Sequence, residues 1–252
     1  MAEALTQALA IPGIAWVFVA AFVSGIVRGF AGFGTAMIFL PVAAQVLEPI
    51  WAVTVLAVMD MIGPLPAIPR ALKDGHPRDL LRLAVGAMLA LPLGLAVLFA
   101  VDPSVFKVAV SLLSLGLLAA LISGLRYRGE LTKPMVYGTG AMAGFLGGAV
   151  AIPGPPVILL YMASPHPAQV VRANNTVFLF SYDILMLIGL AIGGKLLVGS
   201  VVLGLITALP YLAGNLTGGW LFRPGLERVY RWVAYAIIAT SALSGLWSVI
   251  GG

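Results

Sequence analysis

The chain is a succession of apolar runs, separated by short stretches of Pro, Gly and charge, and each run is too long to be hidden from water except by lipid or by other such runs. They fall at about 8–27, 30–47, 51–69, 83–100, 104–124, 134–150, 153–164, 173–193, 196–222 and 232–250. The run 104–124, SVFKVAVSLLSLGLLAALISG, is apolar on every side, the pattern of a helix surrounded by lipid and other helices. Of the 252 residues 61% are hydrophobic and 9% charged, whereas a soluble domain carries about a quarter charged residues. Too few polar side chains exist to cover a water-facing surface. A water-soluble enzyme is therefore excluded, and an all-α integral membrane protein is expected. At about 20 residues per span, the length holds one transporter-sized or channel-sized bundle with no room for a soluble domain.

The net charge of +5 would suggest a nucleic-acid partner in a soluble protein. Here the basic residues stand in short clusters beside apolar runs, which is a signal of topology, and the partners expected are the lipid bilayer and a small solute. There is no Cys, so disulfides, thiolate metal sites and Cys nucleophiles are excluded. The two His, His76 and His166, lie in Pro-containing loops, which speaks against a metal pathway, and no cofactor motif is present. The N-terminal stretch MAEALTQALAIPGIAWVFVAAFVSGIVR lacks a basic n-region and reads as a retained first helix. A multi-pass protein of a bacterial-type plasma (inner) membrane is the expected setting.

The chain repeats itself. Sliding the second half over the first by 115 residues superposes Gly25 on Gly140, Gly29 on Gly144, Phe30 on Phe145, Gly32 on Gly147, Ala36 on Ala151, Pro41 on Pro156 and Val42 on Val157. The shared order is Gly-x-x-x-Gly-Phe-x-Gly with a Pro nine residues later, and Ala90-Leu91-Pro92 is echoed downstream by Ala208-Leu209-Pro210. We read an internal duplication, with residues 1–129 as the first membrane repeat and 130–252 as the second, together forming one transporter domain.

Lys and Arg suggest how the repeats run. If each Gly-motif region crossed once, Arg28 would be stranded in the membrane and the basic residues would divide almost evenly between the two faces. If each crosses twice, there are ten segments, five per repeat. Arg28, Arg172 and the clusters at 70–82, 126–133 and 223–231 then share one face, which holds 12 of the 14 basic residues, against Lys107 and Lys195. That is the stronger positive-inside pattern, and five segments per half makes the repeats inverted.

Gly29, Gly32, Gly34, Gly144, Gly147 and Gly148 admit two readings. Small residues four apart let helix backbones touch in lipid. Each Gly cluster is also followed within its apolar run by Pro, Pro41 in the first half and Pro153, Pro155 and Pro156 in the second, and Gly with Pro at membrane depth breaks a helix where the freed backbone lines a cavity. Paired breaks in corresponding places of two halves point to a transporter's central site, so Phe30 and Phe145 are included with the glycines and with Pro41, Pro153 and Pro156 as candidate substrate-binding residues. Half-helix N-termini present N–H groups and positive dipole ends, which suits a small anion.

Asn174, Asn175 and Thr176, following Arg172, form the most polar approach to any apolar run, and can either donate to an oxyanion or cap a helix. Asp60 and Asp183 each lie inside an apolar run. An ionisable group there is either functional or a structural carboxyl satisfied by its neighbours. As a coupling group Asp183 is preferred, because it follows the Asn-Asn-Thr stretch by about two helical turns, while Asp60 adjoins Gly63-Pro64 and could satisfy backbone freed there.

The paired motifs GIVRGFAGFGTAMIFLP and GAMAGFLGGAVAIPGPP, one at the start of each half, and the polar RANNT approach resemble the sulfite exporter TauE/SafE family, also called toluene-sulfonate uptake permeases. The resemblance implies transport of small sulfur-containing anions, such as sulfite, sulfonates or sulfonated carboxylates, with export the expected direction, by a proton-linked or exchange mechanism. Family members commonly carry a richer Gly-x-Gly-Gly-Gly in both halves, where this chain has Gly32-Phe33-Gly34 and Gly147-Gly148-Ala149. No zinc-protease, intramembrane-protease or nucleotide-binding motif accompanies them, so an enzyme is not expected. An anion channel or a non-transporting membrane assembly protein is the alternative.

Overall fold

A computed structural model describes residues 10–123, 131–161, 167–223 and 225–250. The expected division at Gly129, Arg126 and Arg128 of the central basic cluster, the first residues of the N-terminal stretch, and His166 lie outside the described residues. Among the described residues the chain is all-helical. The α-helices are α1 (Ile14–Ala31), α2 (Thr35–Val46), α3 (Pro49–Ile62), α4 (Ile68–Asp74), α5 (Pro77–Ala100), α6 (Pro103–Ile122), α7 (Lys133–Val150), α8 (Gly154–Tyr161), α9 (Ala168–Ile192), α10 (Val198–Leu221) and α11 (Glu227–Ile250), with a short 3-10 turn at Leu65–Ala67.

Each of the ten apolar runs carries a helix, and the helices differ in length. Among the described residues six helices, α1, α5, α6, α9, α10 and α11, are long and apolar enough to cross a membrane. A seventh span results if α3 and the segment Leu65–Asp74, bent by 42° at Gly63-Pro64, are taken together. At about 1.5 Å per residue α2 and α8 reach only some 18 and 12 Å, far short of a hydrocarbon core of about 30 Å. In α7 glycine and a terminal Lys dilute the apolar character. Exposed side chains fit a lipid-facing surface: Leu89, Leu93, Leu216, Trp220 and Trp247 stand out from the helices, an arrangement that water would penalise and lipid does not. The chain is a multi-pass membrane protein.

Packing divides the molecule differently from the repeat. One compact unit gathers α1, α2, α3, most of α6, α10 and α11; the other gathers the 3-10 turn, α4, α5, α7, α8 and α9. Each therefore draws helices from both sides of residue 129. The sequence repeat and the packing are two distinct partitions of one chain.

Within each unit the leading helix of one half lies along the long Pro-containing helix of the other. In the first unit α1 packs on α10. A Cβ added at Gly25 or Gly29 would collide with the Tyr211 or Asn215 carbonyl, and one at Gly214 or Gly218 with the Phe22 or Ile26 carbonyl. In the second unit α7 packs on α5, and Gly140 and Gly144 meet the Leu83 and Ala87 carbonyls in the same way. Both seams bring backbone onto backbone, the geometry that small residues permit in membranes. Pro92 and Pro210 lie inside α5 and α10, where neighbouring helices make such interruptions tolerable.

Candidate functional site

The first break separates α1 from α2. Gly32 ends α1 in the left-handed region at φ 78° and donates its N–H to the Arg28 carbonyl, and Gly34 opens α2 at φ 100°. Only glycine adopts such angles without steric cost, so Gly-Phe-Gly puts the turn at this place in the sequence. A side chain at Gly32 would meet nothing within 4 Å, which leaves open space beside the turn. The start of α2 has no side-chain cap, and the amides of its first turn have no partner within the helix.

Four polar side chains connect the last turn of α1 to the first residue of α2. Arg28 Nη1 lies 3.6 Å from Asp60 Oδ2, both side chains being largely buried. The Tyr211 hydroxyl donates to Asp60 Oδ1, and lies 3.5 Å from the Thr35 hydroxyl. The Tyr211 ring reaches Asp60 past Gly63, where a Cβ would stand 2.9 Å from its Cε1. Asp60, Thr35 and Tyr211 are buried. Asp60 thus meets a cation and a phenol, in place of the backbone of the Gly63-Pro64 bend that its sequence position suggested.

The second break separates α7 from α8 and is built differently. Its turn residue is Ala151 at φ 54°, a conformation that costs an L-residue about 1–2 kcal/mol. The first turn of α8 contains Pro155 and Pro156, neither of which has an N–H to offer. Gly147 makes room for Tyr182, whose phenol would be struck by any Cβ there and donates to Met186 Sδ at 3.7 Å. Gly148 packs on Leu91 and Gly94.

Around the same unit Asn174 is fully buried. Its Oδ1 accepts the His76 backbone N–H at 2.7 Å, and its Nδ2 donates to the Tyr161 hydroxyl at 3.1 Å. His76 Nδ1 lies 3.1 Å from Asp79 Oδ2, and Arg82 Nη1 lies 3.0 Å from Asp79 Oδ1. Both ends of the Asn174 amide are thus committed to holding α9 against α8 and the start of α5. Thr176 donates to the Arg172 carbonyl. Asn175 Oδ1 is buried without a hydrogen-bond partner among the described residues, and an amide turned over by 180° places an NH2 there. Asp183 is buried beside Tyr182 in sequence.

The candidate residues therefore separate by role. Gly32, Gly34, Gly147, Pro153 and Pro156 lie at or beside the two breaks, whereas Gly29, Gly144 and Gly148 lie in packed seams. Pro41 lies inside α2, Phe30 stacks on Tyr230 at 5.2 Å, and its counterpart Phe145 is exposed. Sequence reasoning missed the Arg28–Asp60–Tyr211–Thr35 chain. A signal was available: Arg28 and Asp60 are the only charged residues inside their respective apolar helices, and intramembrane charges of opposite sign commonly pair.

The profile of the family described as "Sulfite exporter TauE/SafE" matches residues 17–245 of the chain. The match spans both breaks and both seams. The chain belongs to the sulfite exporter TauE/SafE family. No curated protein and no solved structure matches it. As a TauE/SafE member it falls in a family of membrane transporters of the sulfite-exporter type. Among the described residues no cluster of three or more His, Cys, Asp or Glu could hold a metal.

Proposed function

We infer that this TauE/SafE chain is a secondary carrier that exports small sulfur-containing anions, sulfite, sulfonates or sulfonated carboxylates, across a bacterial-type plasma membrane. The single observation that supports this most is the pair of helix breaks at corresponding places of the two halves, each ending one helix within an apolar stretch and starting a short one. At the first break the opening amides of α2 have no partner within the helix, and a positive dipole end favours an anion there. Gly32 and Gly34 shape the first break; Gly147, Pro153 and Pro156 shape the second, with Asn175 as a further donor in that unit.

The repeats are inverted in this reading, with the basic clusters cytoplasmic, and alternating access follows from one repeat rocking against the other. A carboxyl within an apolar helix carries the coupled proton, and Asp183 and Asp60 are the two candidates. The test is counterflow in proteoliposomes: unlabelled sulfite inside should accelerate uptake of labelled sulfite from outside. A carrier shows that acceleration. Uptake indifferent to internal sulfite identifies a pore, and no uptake of any sulfur oxyanion rejects anion transport.

A further inference from the structure

Resting on that reading and deepening it, we propose that the face of α6 carrying Lys107, Ser111 and Ser114 binds the transported anion, the two hydroxyls donating to its oxygens and the Lys107 ammonium supplying the opposite charge. The spacing puts all three in one narrow stripe of the helix, with the hydroxyls about 6 and 10 Å along the axis from the lysine. This is the stripe that α6 turns inward. Val110, Ser111, Ser114 and Leu118 are buried, and Lys107 is partly buried.

The two hydroxyls depart from what other buried hydroxyls in the chain do. A Ser or Thr inside a helix can turn back to the carbonyl three or four residues earlier, and Ser24, Thr54, Ser200 and Thr207 all do so. Ser111 and Ser114 are fully buried, and neither Oγ has a hydrogen-bond partner among the described residues. Unmade donors are costly away from water, so a pair of them on one face points to something that accepts from both.

Lys107 identifies the charge of that acceptor. It is the only charged residue of α6, and it has neither an ion pair nor a hydrogen bond among the described residues. The short helix α2 has no charged residue, and the only acidic residue of α11 is Glu227 at its first position. In the ten-segment reading Lys107 falls on the face opposite the basic clusters, so the positive-inside pattern does not account for it. A cation within a span is kept for a partner or a function. The ammonium would repel a metal ion, and a water molecule would satisfy the hydroxyls while leaving the charge uncompensated. A small oxyanion answers both needs.

The stripe also adjoins α2, which starts at the first break. A Cβ at Gly245 of α11 would strike the Ser111 hydroxyl and stand 3.1 Å from the Pro41 carbonyl oxygen. Gly245 thus keeps the space the hydroxyl uses, and Pro41 borders it. The Pro41 carbonyl already accepts from Gln45 Nε2 at 2.8 Å. Ser111 therefore stands on the flank of the helix whose opening amides the carrier reading assigns to the anion.

The probes are sulfite and methanesulfonate, the second having a charge that does not change with pH. Binding to the full chain, purified in neutral detergent, is measured by calorimetry, with a melting curve and sulfite counterflow for each variant. Ser111→Ala/Ser114→Ala removes two hydroxyls without partners, so in the absence of anion it should melt no lower than wild type. Its affinity should nevertheless fall by at least about tenfold, as expected for lost hydrogen bonds to a charge. Lys107→Gln should lose affinity to a similar degree, and Lys107→Arg should keep most of it. Wild-type affinity and counterflow in the double Ser variant or in Lys107→Gln overturn the assignment. So does a Lys107→Gln protein that keeps anion affinity but binds added phosphatidylglycerol more weakly, because the ammonium then holds a lipid headgroup phosphate. Either result leaves sulfite counterflow by the wild type, and with it the carrier reading, standing. A wild type that binds neither probe and shows no counterflow defeats the two together.

Discussion

The two helix breaks occupy corresponding places in the chain and are framed by equivalent seams, yet their chemistry differs. The break between α1 and α2 has two left-handed glycines, a first turn without a side-chain cap and a buried Arg–Asp–Tyr–Thr chain. The break between α7 and α8 has one left-handed alanine, two prolines in its first turn and a tyrosine seated on Gly147. Scaffold and chemistry are therefore constrained differently within one molecule. The backbone-on-backbone seams of glycine tolerate no side chain, and both have the same geometry. The side chains at the breaks obey no such constraint, and one break is charged where the other is neutral and aromatic.

The largest effects should come from the seams and should be equal in the two units. Gly29→Val and Gly144→Val each force a branched side chain into a carbonyl of the facing helix. Each should cost about 3 kcal/mol or more, beyond ordinary overpacking because backbone cannot repack as side chains do. Size-exclusion profiles and melting curves in detergent will report little folded protein for either. Normal melting of one variant alone would mean that the seams are not equivalent.

Intermediate effects should separate the two polar networks. Tyr211→Phe removes the phenol from Asp60, and Tyr161→Phe removes the acceptor from Asn174 Nδ2. Both should lower stability by about 1–3 kcal/mol, the cost of leaving a buried polar group unsatisfied. Only Tyr211→Phe should also change the affinity for methanesulfonate. Equal loss of affinity in both variants would remove the functional distinction between the breaks.

The smallest effects concern the turn residues. Gly32→Ala places a Cβ at φ 78° with room around it, so only backbone strain is felt, about 1–2 kcal/mol. The converse change, Ala151→Gly, relieves similar strain at φ 54° but loosens the unfolded chain, and the net shift should stay under about 1 kcal/mol. Thermal shifts of the two variants should thus differ in size, with Gly32→Ala the more damaging.

Much of the architecture was legible because lipid imposes simple rules. Apolar runs of membrane length located all ten helical regions, and Gly-x-x-x-Gly-Phe-x-Gly located both breaks. What the runs could not give was the geometry of each interruption. The stop at Gly32 depends on a left-handed turn, and the bend at Gly63-Pro64 divides one apolar run in two, so among the described residues six or seven helices reach membrane length. At the site, spacing along the chain brought Asn174 and Thr176 forward because they are polar neighbours. The Thr176 hydroxyl turns back to the Arg172 carbonyl of its own helix, and the His76 backbone partner of Asn174 becomes visible only when α9 packs beside the start of α5. Arg28 was assigned to the positive-inside pattern, and its proximity to Asp60 is a tertiary fact joining residues 32 positions apart.

The interleaving of the two units carries a consequence for how the protein is made. The glycine face of α1 has its packing partner in α10, which begins at Val198, while the second unit closes its own seam between α5 and α7 long before that. At about 5–20 residues per second of synthesis, α1 leaves the ribosome roughly ten to forty seconds ahead of the helix it must meet. During that interval the second unit can assemble first, and the first helix waits in the bilayer with a bare strip of backbone. Such a helix is a natural client for a membrane chaperone or a transient lipid contact, and a chain cut short before α10 would leave that strip permanently open.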